Sequence, residues 1–218
     1  MGEHPAKRDT VFVLLCGVFS YKERLGMGND KKEKTAKVKE THGTYFIDER
    51  YEIIGGVRYD FLTSPKFSHQ DVLGRLHLAF HSACSEDGVI LLAPMDVHFD
   101  GENILQPDIL YIRRENRGII RDGYVYGAPD LVVEILSGST AQRDKTIKKS
   151  TYEKFGVGEY WLVDPVYRLV EQFAIVEGEY RLLAILSKED ELVAATVPCL
   201  TVDLSSVFVK EEASNGPA

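Results

Sequence analysis

Ala128-Pro129-Asp130-Leu131-Val132-Val133-Glu134-Ile135-Leu136 is the stretch on which the reading of this fold turns. Its centre is a run of Leu, Val and Ile bounded by a Pro-Asp step. β-branched residues in a short apolar run fit a strand covered on both faces. Glu134 interrupts that run. A carboxylate inside such a strand costs several kcal/mol unless something compensates its charge. Two readings are open: a buried ion pair with an Arg or Lys, or a metal ligand or acid–base group.

Outward from this strand the pattern alternates. Thr140 to Phe155 reads as a helix, with Gly156 placed as its stop. Glu159-Tyr160-Trp161-Leu162-Val163 is a further strand ended by Asp164-Pro165. Leu169–Val176 and Tyr180–Leu186 flank a Glu177-Gly178 turn. Upstream, Tyr51–Ile54 and Val57–Phe61 surround Gly55-Gly56 as a hairpin. Ser68 and Asp71 have capping-box spacing for a helix whose apolar face is Val72, Leu76, Ala79, Phe80 and Ala83. Strand-like runs follow at Val89–Ala93, Val97–Phe99 and Ile109–Ile112. Hairpins and helical connections together imply an α/β (α+β) chain with a mixed sheet and few helices.

Chemistry gathers around a few positions. Asp108 follows Pro107 at the head of a strand and would lie beside Glu134 if the two strands are neighbours, making a plausible Mg²⁺ site. Pro129-Asp130 is a second such step, and alternation puts Asp130 on the Glu134 face. Asp144, Lys148 and Tyr152 stand four apart, which makes either a solvated salt-bridge face or a stripe aiming the lysine at the carboxylates. His69 opens a helix, where a capping or surface role is the bland reading and a substrate contact the functional one. Trp161 and Tyr160 read as core or interface residues.

Composition bounds the alternatives. At 218 residues with 44% apolar content, the chain suits one domain with a tail or two. Residues 1–44 are Lys-rich toward their end and read as a poorly ordered extension, residues 45–209 as the domain, and residues 210–218 as a disordered tail. Met27 is an alternative start. No apolar stretch nears the roughly 18 residues of a membrane span, and Val11–Phe19 only faintly imitates a signal peptide. Cys16, Cys84 and Cys199 have no metal-ligand spacing and read as incidental thiols in a reducing cytoplasm. The net charge of −8 is uneven, with a basic start and an acidic body that suits a phosphate backbone poorly.

Taken together, the motifs resemble the bacterial Uma-type family of restriction endonucleases, within the PD-(D/E)XK nuclease superfamily. The matching stretches run from Tyr51–Gly56 through Ser64-Pro65, His69-Gln70 and Gln106–Ile109. They continue with Ala128–Ser137, Ser139-Thr140, Asp144 with Lys148 and Tyr152, and Gly156–Pro165. The resemblance covers about residues 45–209. It implies a restriction-endonuclease-like core and a Mg²⁺-dependent (or Mn²⁺-dependent) endonuclease acting on DNA. Asp108 and Glu134, with the Ile135 main-chain carbonyl, would hold the metal. Leu136 stands where the superfamily has its lysine, and Lys148 on the next helix would substitute; Asp108, Glu134 and Lys148 are then the catalytic set, with His69 and Tyr152 as candidate substrate contacts. The acidic body and Leu136 keep two alternatives in view: an inactive relative that binds a partner or forms a homodimer through its sheet edge, and a hydrolase of small phosphate esters.

Overall fold

The structure is a computed structural model that describes residues 50–60, 64–138 and 140–209. The expected extension over 1–44, with Val11–Phe19 and Cys16, and the tail 210–218 lie outside these residues.

The first element of the described residues is the expected hairpin, β1 (Tyr51–Ile54) and β2 (Val57–Asp60). Gly55 and Gly56 turn it at φ +59° and +76°, the left-handed pair that a two-residue hairpin loop demands. Helix α1 (Phe67–Cys84) follows, and it starts one residue before Ser68. Ser68 therefore sits inside the first turn, and the expected capping box does not form. Lys66 is the N-cap and makes no side-chain cap bond. The buried stripe is His69, Val72, Leu76, Phe80 and Cys84.

Next come β3 (Gly88–Leu92), β4 (Val97–Asp100), β5 (Asn103–Leu105) and β6 (Ile109–Arg113). After a 3₁₀ segment, β7 (Ile120–Arg121) and β8 (Tyr124–Tyr126) lead to β9 (Leu131–Ile135), every residue of which is buried. The helix expected over 140–155 is divided. Short α2 (Ala141–Arg143) passes through a π-helical turn at Asp144–Lys148 into α3 (Lys149–Lys154), which Gly156 ends at φ +78°. The remaining elements are β10 (Glu159–Asp164), β11 (Leu169–Val176), β12 (Glu179–Ser187), β13 (Glu191–Val193), β14 (Thr201–Asp203) and α4 (Leu204–Val207).

Two six-stranded sheets result, ordered β12-β11-β10-β9-β6-β3 and β2-β1-β5-β4-β8-β7. In the first, β9 lies parallel to β10 and antiparallel to β6, so the sheet is mixed. Alternation along β9 splits its side chains between two cores. Leu131, Val133 and Ile135 meet Val72, Leu76 and Phe80 of α1 and Trp161. Val132 and Leu136 turn the other way, toward Leu105, Val97 and Val125 of the second sheet and toward Tyr152. Glu134 shares that second face by parity. A glutamate placed there is enclosed between a sheet behind and a sheet in front.

The reading of the cysteines is corrected. Cys84, at the end of α1, and Cys199, before β14, form a disulfide with Cα atoms 5.5 Å apart. The partners are 115 residues apart, so no local spacing could announce the bond.

Candidate active site

β6 and β9 are neighbours, with Ile109 opposite Val133. One step further along the same register, Asp108 stands opposite Glu134. Asp108 Oδ2 accepts the Ile135 N–H at 2.7 Å and lies 3.2 Å from His69 Nε2. The stripe on the broken helix then closes over them. Lys148 Nζ lies 2.5 Å from Glu134 Oε1, and Tyr152 donates its hydroxyl to the same oxygen at 2.6 Å. Asp144 Oδ1 is 3.7 Å from the ammonium.

The sequence reading passed over a fourth carboxylate. Glu52, on β1 of the other sheet and 1% exposed, places Oε1 2.9 Å from Lys148 Nζ. That oxygen also accepts the Gln106 N–H at 2.9 Å, and Arg143 approaches Oε2 at 3.6 Å while its guanidinium lies over the Tyr59 ring. The missed signal was alternation: Glu52 shares its strand face with Ile54, which is buried.

Charge counting sets the ionisation. Burial alone would lower Lys148, but Glu134, Glu52 and Asp144 outweigh it and hold its pKa well above the usual lysine value. One ammonium leaves three carboxylates under-compensated. Glu134 is accordingly raised well above the ordinary glutamate value, first by burial and further by Asp144, Asp108 and Glu52, with Lys148 opposing. Asp144 is raised for the same first reason. Burial would lower His69, yet Asp108 more than offsets it, and its pKa is raised.

The expected residues are therefore sorted by geometry. Asp108, Glu134, Ile135, Lys148 and His69 line one cavity of about 620 Å³, with Glu52, Arg143 and Asp144. His69 is buried at 8% exposure and meets Asp108, so it is neither a cap nor a surface group. Tyr152, a candidate substrate contact, is fully enclosed; its hydroxyl holds the Glu134 carboxylate and faces no open space. Asp130, which immediately precedes β9, pairs instead with Arg113, accepting from its main-chain N–H (2.8 Å) and its Nε (2.7 Å). The second Pro-Asp step is thus a structural tie. Both readings of Glu134 meet in one place, because its ion-pair partner is the lysine expected to serve chemistry.

Among the described residues, no three His, Cys, Asp or Glu side chains are already gathered as ligands of a metal ion. The fit to a divalent cation is one of charge and donor type. Glu52, Asp60, Asp108, Glu134 and Asp144 line the cavity against Lys148, Arg143, Arg50 and Lys66, of which Arg50 and Lys66 are exposed. Carboxylate oxygens that outnumber the cations around them suit a hard dication.

No curated protein matches the chain. A crystal structure described as a putative nuclease belonging to DUF820 from Anabaena variabilis ATCC 29413 is similar at 20% identity and a TM-score of 0.60. The similarity covers 72% of this chain and 89% of that one, and it shows a shared fold, restriction-endonuclease-like in its mixed sheet flanked by few helices. The family Uma2, described as "Putative restriction endonuclease", matches residues 46–205, so this chain belongs to the Uma2 family.

Proposed function

We propose that the protein is a metal-dependent endonuclease that hydrolyses DNA phosphodiester bonds, with Asp108, Glu134 and Lys148 as its working set. The observation that carries the reading is the convergence of Asp108, at the head of β6, with Glu134, on β9, in one cavity beside a lysine buried to 3% exposure. Family membership supports the coarser statement that this is a nuclease.

Asp108, Glu134 and the Ile135 carbonyl would hold Mg²⁺ or Mn²⁺. When bound, such an ion lowers the pKa of a coordinated water and neutralises charge on the phosphate. The chain supplies the rest. Lys148 is held protonated by three carboxylates and does not act as the general base; its N–H groups orient the attacking water and offset charge on the phosphoryl oxygens as the water–phosphorus bond forms and the phosphorus–sugar oxygen bond breaks, the water's proton passing to solvent and the leaving sugar oxygen taking one from solvent. Tyr152 and Lys148 fix one Glu134 oxygen, which sets the direction of the other. Among the described residues no helix is long and apolar enough to cross a membrane. A cytoplasmic location belongs to this reading and sits uneasily with a disulfide, which is rare in that compartment.

The test is cleavage of DNA at low ionic strength with Mg²⁺ or Mn²⁺, by wild type and by Glu134→Gln. The wild type should cut and the variant should not. The acidic body favours one second reading, a hydrolase of small phosphate esters, because it needs no basic groove. Metal-dependent stabilisation without cleavage of DNA or RNA would move that reading ahead.

A further inference from the structure

The four carboxylates around Lys148 lie at the bottom of their cavity. Glu52, Asp144 and Glu134 are each at most 3% exposed, and the Asp108 side chain, the most open of them, is 17% exposed. A phosphodiester is hydrolysed here only after it has passed the mouth. The cavity holds about 620 Å³, the size of a site for one drug-sized molecule, and so for one nucleotide with its phosphate.

The mouth is built from exposed groups. Ser64-Pro65-Lys66, on the approach to α1, and Gly138, after β9, line the cavity and face water. The lysines and arginines of the lining, besides Lys148, are Arg50, Lys66 and Arg143. Asp60, the exposed acid of the lining, pairs with Arg58 at 2.7 Å. Directly after Lys66 comes Phe67, the first residue of α1, 71% exposed. Its phenyl ring stands in water next to a cation of the mouth.

Duplex DNA meets this arrangement badly on two counts. It is stiff, with a persistence length of about 50 nm, so turning one of its phosphates into so enclosed a site is costly. It also brings one charge per about 1.7 Å of axis against an acidic body. A single strand bends between nucleotides and carries half that charge per length. Its unpaired bases are free to stack on an exposed ring, an attraction that needs no basic groove.

We infer that the substrate is single-stranded DNA, with Arg50, Lys66 and Arg143 facing its phosphates and a base stacked on Phe67. The inference rests on the nuclease reading of the same cavity and names the form of DNA it accepts.

One labelled oligonucleotide, alone and annealed to its complement, tests it on the full chain. With Mg²⁺ or Mn²⁺ at low ionic strength, the single strand should be cut faster than the duplex by about tenfold or more. Binding is read separately by fluorescence anisotropy with Ca²⁺, which oxygen ligands also accept. Phe67→Ala should weaken single-strand binding about tenfold, and Phe67→Trp should restore it. Leu78→Ala removes a similarly exposed side chain about three turns further along α1 and should leave binding unchanged. The logarithm of affinity should fall against the logarithm of salt with a slope of about −2, the value for some three phosphates of a single strand. Duplex cut as fast as the single strand, or Phe67→Ala binding as tightly as wild type, overturns the inference and leaves the nuclease reading standing. Preferential binding of the single strand without cleavage of either form keeps the single-strand site and overturns the nuclease reading. Neither binding nor cleavage overturns both.

Discussion

Glu52 and Glu134 belong to different sheets and share one ammonium, at 2.9 and 2.5 Å from Lys148 Nζ. That lysine joins the hairpin sheet to the central sheet at the floor of the cavity, so its loss has consequences for folding as well as chemistry.

Lys148→Met should destabilise the protein by about 3–5 kcal/mol near neutral pH, because it leaves buried carboxylates without their counter-charge. Denaturant unfolding at pH 5 and pH 8 checks this. The loss should shrink at the lower pH, where the carboxylates take up protons; an equal loss at both would show that the methylene packing of the side chain, not its charge, mattered.

Glu134 carries a pH dependence of its own. Its pKa in the folded state is raised, so the native protein binds a proton more readily than the unfolded chain. Stability should therefore rise as pH falls from the raised folded value toward the unfolded value of about 4.3. Glu134→Gln removes the titrating group and should flatten that slope, while losing any stabilisation by Mg²⁺ or Mn²⁺. Paired melting curves from pH 5 to 8, with and without the ion, measure both effects.

Tyr152→Phe keeps the ring against Tyr160 and Phe99 and deletes only the hydroxyl on Glu134. The expected cost is about 2 kcal/mol, the usual worth of a buried hydrogen bond to a charged acceptor. Cleavage should slow without being abolished, since Lys148 still holds the carboxylate. A variant of unchanged stability would mean that the hydroxyl finds no net gain there.

Gly88→Ala should destabilise by about 1–3 kcal/mol, since a Cβ on Gly88 would meet the Ile112 carbonyl and the Tyr111 ring at 2.5 Å. Soluble yield and unfolding midpoint report on this directly.

Reduction of Cys84–Cys199 should lower stability by about 2–4 kcal/mol, because the bond restrains a long stretch of the unfolded chain. Comparing melting with and without a thiol reductant tests it, and a Cys84→Ser/Cys199→Ser variant should then show no response to the reductant.

The central strand and its neighbours were legible because burial on both faces leaves an unambiguous apolar run, as in Leu131–Ile135. Glu134 was legible for the opposite reason: it is a charge placed where the pattern demands an apolar group, whereas Asp108 and Lys148 have ordinary readings by pattern alone and were marked by the resemblance to the Uma-type family. Glu52 was not, because β1 is only four residues long and its alternation is too brief to flag one glutamate among exposed neighbours. β5, β7 and β8, of three, two and three residues, give no periodicity at all. The division of the 140–155 helix was also hidden, since a π turn changes hydrogen-bond spacing without requiring any particular residue type.

That π turn at Asp144–Lys148 has a consequence for tolerance to insertion and deletion. A π turn accommodates one residue more than the α-helix around it, and each residue of an α-helix advances the chain by about 100°. Removing one residue from this turn would keep the helix and almost all its sequence, yet rotate α2 (Ala141–Arg143) against α3, which carries Tyr152. Lys148 and Tyr152 could still meet Glu134, while Arg143 would swing away from Glu52 and Tyr59. A single-codon deletion here is therefore expected to release the Arg143 contact with Glu52 and Tyr59 while leaving the Lys148 bridge between the two sheets in place.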